Sequence, residues 1–81
     1  MTTPFATKQQ AIDYGLKYIN GKLKDTSPRK THLGFPQDLD IEVYEIDVPD
    51  KEKGWLIGVN VFRETAWNVW VIAPNGWANR L

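Results

Sequence analysis

His32 is the only histidine of the chain, and it stands beside Arg29 and Lys30. An imidazole titrating near neutral pH can serve as a general base when a carboxylate orients it and a nucleophile lies within reach. No local set of residues supplies those two groups, so His32 reads as a solvated residue of a basic segment. Asp38, Asp40 and Glu42 recur at every second position, the spacing that puts carboxylates on one side of an extended strand. Three such groups could converge on a hard cation such as magnesium, but alternating acids are also what any water-facing strand displays. With no cysteine there is no thiolate nucleophile, no disulfide and no cysteine-ligated zinc. Gly54, Gly58 and Gly76 lack the spacing and the following helix of a phosphate-binding loop. The sequence therefore points away from an enzyme and assigns no catalytic residue, metal or cofactor.

What remains is aromatic. Four tryptophans occupy 81 residues, with Trp55, Trp67 and Trp70 in two consecutive strand-like runs and Trp77 in the tail. Indole carries more binding energy per residue than any other side chain, so these rings either fill a core or form a contact surface.

The elements that must position them follow from periodicity. Thr7-Lys8-Gln9-Gln10 has the form of a capping box and opens a helix whose apolar stripe is Ile12, Leu16, Ile19 and Leu23. Tyr14 and Tyr18 make a second ridge, and Gly15 marks a close approach to a sheet. Asn20-Gly21 is an early stop signal and Asp25-Thr26-Ser27-Pro28 a later one. Ser27 to Gln37 reads as a loop, since it has two prolines, a glycine and no sustained period.

Three strands follow, at about residues 40–48, 55–62 and 66–73. In the first, Ile41 and Val43 have one parity while Ile46 and Val48 have the other. A one-residue bulge near Tyr44 would restore a single apolar face and gather Asp38, Asp40, Glu42, Glu45 and Asp47 on the opposite side. In the second hairpin a three-residue turn, Arg63-Glu64-Thr65, would align Trp67, Val69 and Val71 with Trp55, Ile57, Val59 and Val61. Gly58 would then oppose Trp70 on the other face, beside Leu56, Asn60, Phe62, Asn68 and Ile72.

The expected fold is a single α+β domain over residues 1–81: a two-layer sandwich of one N-terminal helix on a three-stranded antiparallel meander, α-β-β-β. With strands of the Trp67-x-Val69-x-Val71 type, this arrangement resembles in architecture the small cystatin-like and peptidase-propeptide-like domains. The glutamine-valine-glycine inhibitory loop of cystatins is absent, and no residue role is transferred. The start of the chain shows no secretory signal and no run approaches a membrane span, which together with the missing cysteines predicts a cytoplasmic protein.

Net charge is zero, but residues 38–53 hold seven acidic against two basic side chains, while residues 1–37 hold six basic against two acidic. That balance argues against a nucleic-acid binder. One helix covers one sheet face, so the expected function is that of a small protein-binding module, an inhibitor, immunity protein or adaptor, using the uncovered face. Its apolar centre would be Tyr44, Leu56, Phe62, Trp70 and Ile72. Asp40, Glu42, Glu45 and Asp47 would form a rim for a partner with a basic surface, and Arg29 and Lys30 a secondary contact. Self-association as a homodimer through the same face is one form of this reading. The alternative is a carbohydrate or small-ligand site in which Trp70 and Trp77 stack on the ligand and Asn60 and Asn68 bond to it.

Overall fold

The computed structural model describes residues 4–24 and 27–81. Helix α1 spans Lys8–Ile19, and the Thr7 hydroxyl accepts the N–H of Gln10 at its start, as the capping pattern predicts. Asn20 ends it in the left-handed conformation (φ 57°), and Gly21 donates back to the Leu16 carbonyl. The earlier of the two stops is therefore the one used; Asp25 and Thr26 of the later one lie outside the described residues. Leu23 leaves the helical stripe and sits exposed in strand β1 (Lys22–Leu23).

The buried face of α1 is Ala11, Ile12 and Gly15, with Leu16 and Ile19 at its margin. A β-carbon on Gly15 would lie 2.9 Å from Ile57 Cδ1 and 3.0 Å from Val69 Cγ2. The helix thus sits so near the sheet that a larger residue here would force the Ile57 or Val69 side chain to shift. The second ridge, Tyr14 and Tyr18, faces solvent at 47% and 66% exposure. They lie on the helix flank that Gly15 turns away from the sheet.

The remaining strands are β2 (Arg29–Leu33), β3 (Leu39–Asp47), β4 (Leu56–Phe62), β5 (Ala66–Ile72) and β6 (Ala78–Arg80). All are antiparallel in one six-stranded sheet, with β1 and β2 on one edge of β3, followed by β4, β5 and β6. The expected meander is its centre, and three further strands enlarge it. β2 lies inside the segment read as a loop. Its residues are too polar to show a strand pattern, yet they pair through their backbones from Arg29 opposite Val43 to Leu33 opposite Leu39. Charged side chains are the usual guard of an exposed sheet edge. The β4–β5 hairpin has the predicted register: Ile57 faces Val71, Val59 faces Val69, Val61 faces Trp67 and Gly58 faces Trp70.

The broken alternation in β3 has a different cause from the bulge inferred for it. The strand pairs with β4 without interruption from Glu42 to Glu45, and Ile46 N–H continues to the Trp55 carbonyl. Its apolar residues serve two cores. Ile46 and Val48 join Ala11, Ile12, Ile57, Val59, Val69 and Val71 beneath the helix. Ile41 and Val43 join Leu33, Trp70 and Ile72 on the other side, with Leu39, Leu56 and Ala78 packed around them. The acidic residues divide accordingly: Asp40 and Glu42 share the helix side with Tyr44, whereas Glu45 and Asp47 are on the second side.

The second face is not open. Trp70 is 6% exposed, Ile72 5% and Val43 1%, although no helix covers them. The sheet closes over itself. In a flat sheet β2 and β6 would stand four strand spacings apart, roughly 19 Å. Yet Leu33 of β2 and Ala78 of β6 belong to the same apolar cluster, and the β2–β3 loop shares a single cleft with the β5–β6 turn. Gly58 makes room at the centre, where a β-carbon would fall 2.7 Å from Ile41 Cδ1 and 3.2 Å from Ile72 Cδ1. The Trp70 indole donates to Asn60 Oδ1 at 2.8 Å, which satisfies its one polar atom inside this core.

Trp70→Ala is therefore a core deletion, expected to cost about 3–5 kcal/mol in chemical denaturation. A loss within about 0.5 kcal/mol, the range of surface substitutions, would contradict the second core.

Candidate functional site

The side chains expected to form one contact face are distributed over both. Trp70 and Ile72 are buried in the second core, and Leu56 is half-buried at its edge. Phe62, also half-buried, lies under the Arg63 guanidinium at 5.1 Å. Tyr44, Asp40 and Glu42 lie on the helix side, separated from that group by the thickness of the sheet. The expected stacking platform does not assemble either. Trp70 is bonded to Asn60, Asn68 is buried at 7% exposure, and Trp77 lies at the β5–β6 turn.

On the helix side the acids are engaged one by one. Glu42 Oε1 accepts from Tyr44 Oη at 2.6 Å and from Lys8 Nζ at 3.0 Å. These two bonds, the phenol's first, hold its carboxyl below the usual range. Partial burial, reinforced by the Glu42 bond, pushes the Tyr44 phenol up to about 12. Tyr44 therefore stays protonated as a donor and has no nucleophilic character near neutrality. Lys8 also lies 5.3 Å over the Trp67 ring. A cation in the first turn of a helix opposes the helix dipole, and Glu42 with the Trp67 face offsets that penalty. The cluster pins the start of α1 to β3 and β5.

His32 stands directly opposite Asp40 across the β2–β3 pair. Its Nδ1 lies 2.8 Å from Asp40 Oδ1 and its Nε2 lies 3.0 Å from Asp38 Oδ1. Two carboxylates can be satisfied at once only by the imidazolium, which donates from both nitrogens. The bond to Asp40 first, then that to Asp38, raises the His32 pKa above its ordinary 6.5. Asp38, Asp40 and Glu42 therefore do not converge on one point, as a cation would require. Two of them clamp His32, and the third serves Lys8 and Tyr44. Arg29 and Lys30 sit exposed on the same edge strand.

The clamp closes the base of the Gly34–Asp38 loop, where Asp38 (φ 48°) also donates its N–H to Gly34 O at 3.0 Å. At the tip Phe35 is 96% exposed, the most exposed large apolar side chain of the described residues. Facing it is Trp77, 67% exposed. Trp77 is held by a compact turn: its carbonyl accepts from Ala73, its N–H donates to Asn75 Oδ1 at 3.0 Å, and its indole donates to Asn79 Oδ1 at 3.1 Å. Gly76, at φ 92°, supplies the left-handed position this turn requires. Between the two rings runs a cleft of about 310 Å³ lined by Phe35, Pro36, Gln37, Gly76, Trp77 and Ala78, with no charged side chain in its wall.

The sequence singles out Trp77 only as a stacking partner of Trp70, and Phe35 not at all. Phe35 stands alone between a glycine and a proline, and Trp77 follows a turn in a three-residue strand. The readable signal was local: Gly34-Phe35-Pro36 and Asn75-Gly76-Trp77 each place an aromatic at a turn, where side chains project outward.

Because the folded pKa of His32 is raised, the clamp contributes stability that is present below pH 6.5 and lost as pH rises through the folded value. An NMR titration of the His32 ring should show a midpoint above 6.5 that returns to about 6.5 in the Asp38→Asn/Asp40→Asn double variant. A wild-type midpoint at or below 6.5 would contradict the clamp.

No protein-family model, curated protein or solved structure matches this chain. The functional reading accordingly rests on its own geometry, and the six-stranded sheet goes beyond the α-β-β-β plan of the small inhibitory domains it resembled.

Proposed function

We propose that this domain is a small cytoplasmic protein-binding module, an inhibitor or adaptor, whose contact surface is the cleft between Phe35 and Trp77. The carrying observation is that the two most exposed large apolar side chains come from opposite edges of the sheet and meet across one uncharged cleft. Single exposed apolar residues are ordinary on protein surfaces, whereas paired aromatics flanking a depression are the common form of a binding hot spot. The Trp77 ring is held by its turn before any partner arrives, and the loop that carries Phe35 is clamped at its base. Preorganisation of this kind lowers the ordering cost of association.

The acidic residues support the reading in a secondary way. Glu45 and Asp47 are on the second face and Asp38 is at the base of the Phe35 loop, so the negative charge of residues 38–47 surrounds the structure rather than forming one rim. It would steer a basic partner towards the molecule without determining where it seats. The lack of cysteine suits a reducing compartment. Among the described residues no helix is long and apolar enough to cross a membrane.

The Phe35→Ser/Trp77→Ser variant tests the proposal. Its stability should stay within about 0.5 kcal/mol of wild type, since both rings are mainly in water. Proteins captured from an extract of the source cell by the immobilised wild-type chain should be lost with this variant. They should be retained with a control surface variant, Lys17→Ser/Lys24→Ser. Equal capture by all three would refute the assignment of the cleft.

A further inference from the structure

The cleft has one wall of a particular kind. β6 is the last strand of the sheet, paired only to β5 among the described residues. Ala73 N–H donates to the Trp77 carbonyl and Leu81 N–H donates to the Val69 carbonyl. By the alternation of an antiparallel pair, the backbone groups of Ala78 and Arg80 then point the other way, off the free edge. Among the described residues they have no hydrogen-bond partner. The Phe35–Gln37 loop comes near enough to share the cleft, yet no hydrogen bond joins it to residues 76–80. The curled sheet is thus left open along one seam, with bare backbone donors and acceptors on one side and exposed aromatics beside them.

The two edges of the sheet are treated differently. β2 carries Arg29, Lys30 and His32, charged or chargeable groups that guard an edge against pairing. On β6 the only charged residue is Arg80, which is exposed and forms no ion pair among the described residues. A row of outward N–H and C=O groups is a template onto which an extended backbone adds as a further strand, and pockets for alternate side chains then supply specificity.

Resting on the reading of the cleft as a protein contact, we propose that its occupant is an extended segment of a partner protein. This segment adds antiparallel to β6, bonds to the backbones of Ala78 and Arg80, places an apolar side chain between Phe35 and Trp77, and sets an acidic residue against Arg80.

The test uses a displayed library of random ten-residue peptides, selected on the full chain and counter-selected on Phe35→Ser/Trp77→Ser. Enriched peptides should carry an acidic residue and alternating apolar positions, and should weaken with Arg80→Glu. In a synthetic copy of the best peptide, N-methylation at every second residue should lower affinity about tenfold per blocked N–H, while the intervening positions tolerate it. Amide exchange of Ala78 and Arg80 should slow on binding. Peptides that need Phe35 and Trp77 but ignore N-methylation would overturn strand addition and leave the binding cleft standing. Failure to enrich any peptide over the double variant would overturn both. Slow exchange at Ala78 and Arg80 in a free chain that sediments as a dimer would assign the edge to a second copy and likewise overturn the proposal.

Discussion

A sheet of this width with a single helix has one face too many, and the fold is governed by how that second face leaves water. Ile41, Val43, Trp70 and Ile72 are all buried there without any element laid over them. Leaving such side chains exposed would forfeit roughly 1.5–3 kcal/mol each, a large share of what a chain of this size has available. The sheet meets this by curling, and the curl is possible because Gly58 leaves space at its centre for the ends of Ile41 and Ile72. Asn60 completes the arrangement by accepting the one hydrogen bond that Trp70 must make.

That constraint determines where function can reside. Once Trp70 is spent on the interior, and apart from Tyr14 and Tyr18 on the helix flank, the exposed aromatic surface of the sheet lies where its curled edges approach each other. There the β2–β3 loop presents Phe35 and the β5–β6 turn presents Trp77. The helix side is closed by a separate device, in which Gly15 lets α1 descend onto Ile57 and Val69 while Lys8, Glu42 and Tyr44 fix its first turn. Fold and proposed site are consequences of the same shortage of covering elements.

Much of the centre was legible in the residues. The capping threonine, the Asn20-Gly21 stop and the three-residue β4–β5 turn are local signals whose geometry does not depend on distant contacts, and each appears as read. β2 and β6 were not legible, because an edge strand held by backbone bonds needs no side-chain pattern. The two parities within β3 were visible, but a bulge and a strand buried on both sides leave the same trace. Choosing between them requires knowing that the sheet curls. The bulge led to the joint acidic rim, while the open Trp70 face and the stacking platform followed from counting one helix against a two-faced sheet. Asp40, Glu42, Tyr44 and Lys30 did come onto one side together, though with the helix rather than with the expected aromatic centre.

The most direct test of this account is hydrogen exchange of the four tryptophan indole protons, followed by NMR on the native chain. The Trp70 proton, bonded to Asn60 within the second core, should exchange only through global unfolding, with the same opening free energy as the Ile57 and Val69 amides once each is corrected for its intrinsic rate. The exposed Trp77 proton should exchange fastest of the four. Rapid exchange at Trp70 would mean that the second face is open to water, and would return the contact surface to the face that the curled sheet is held here to bury.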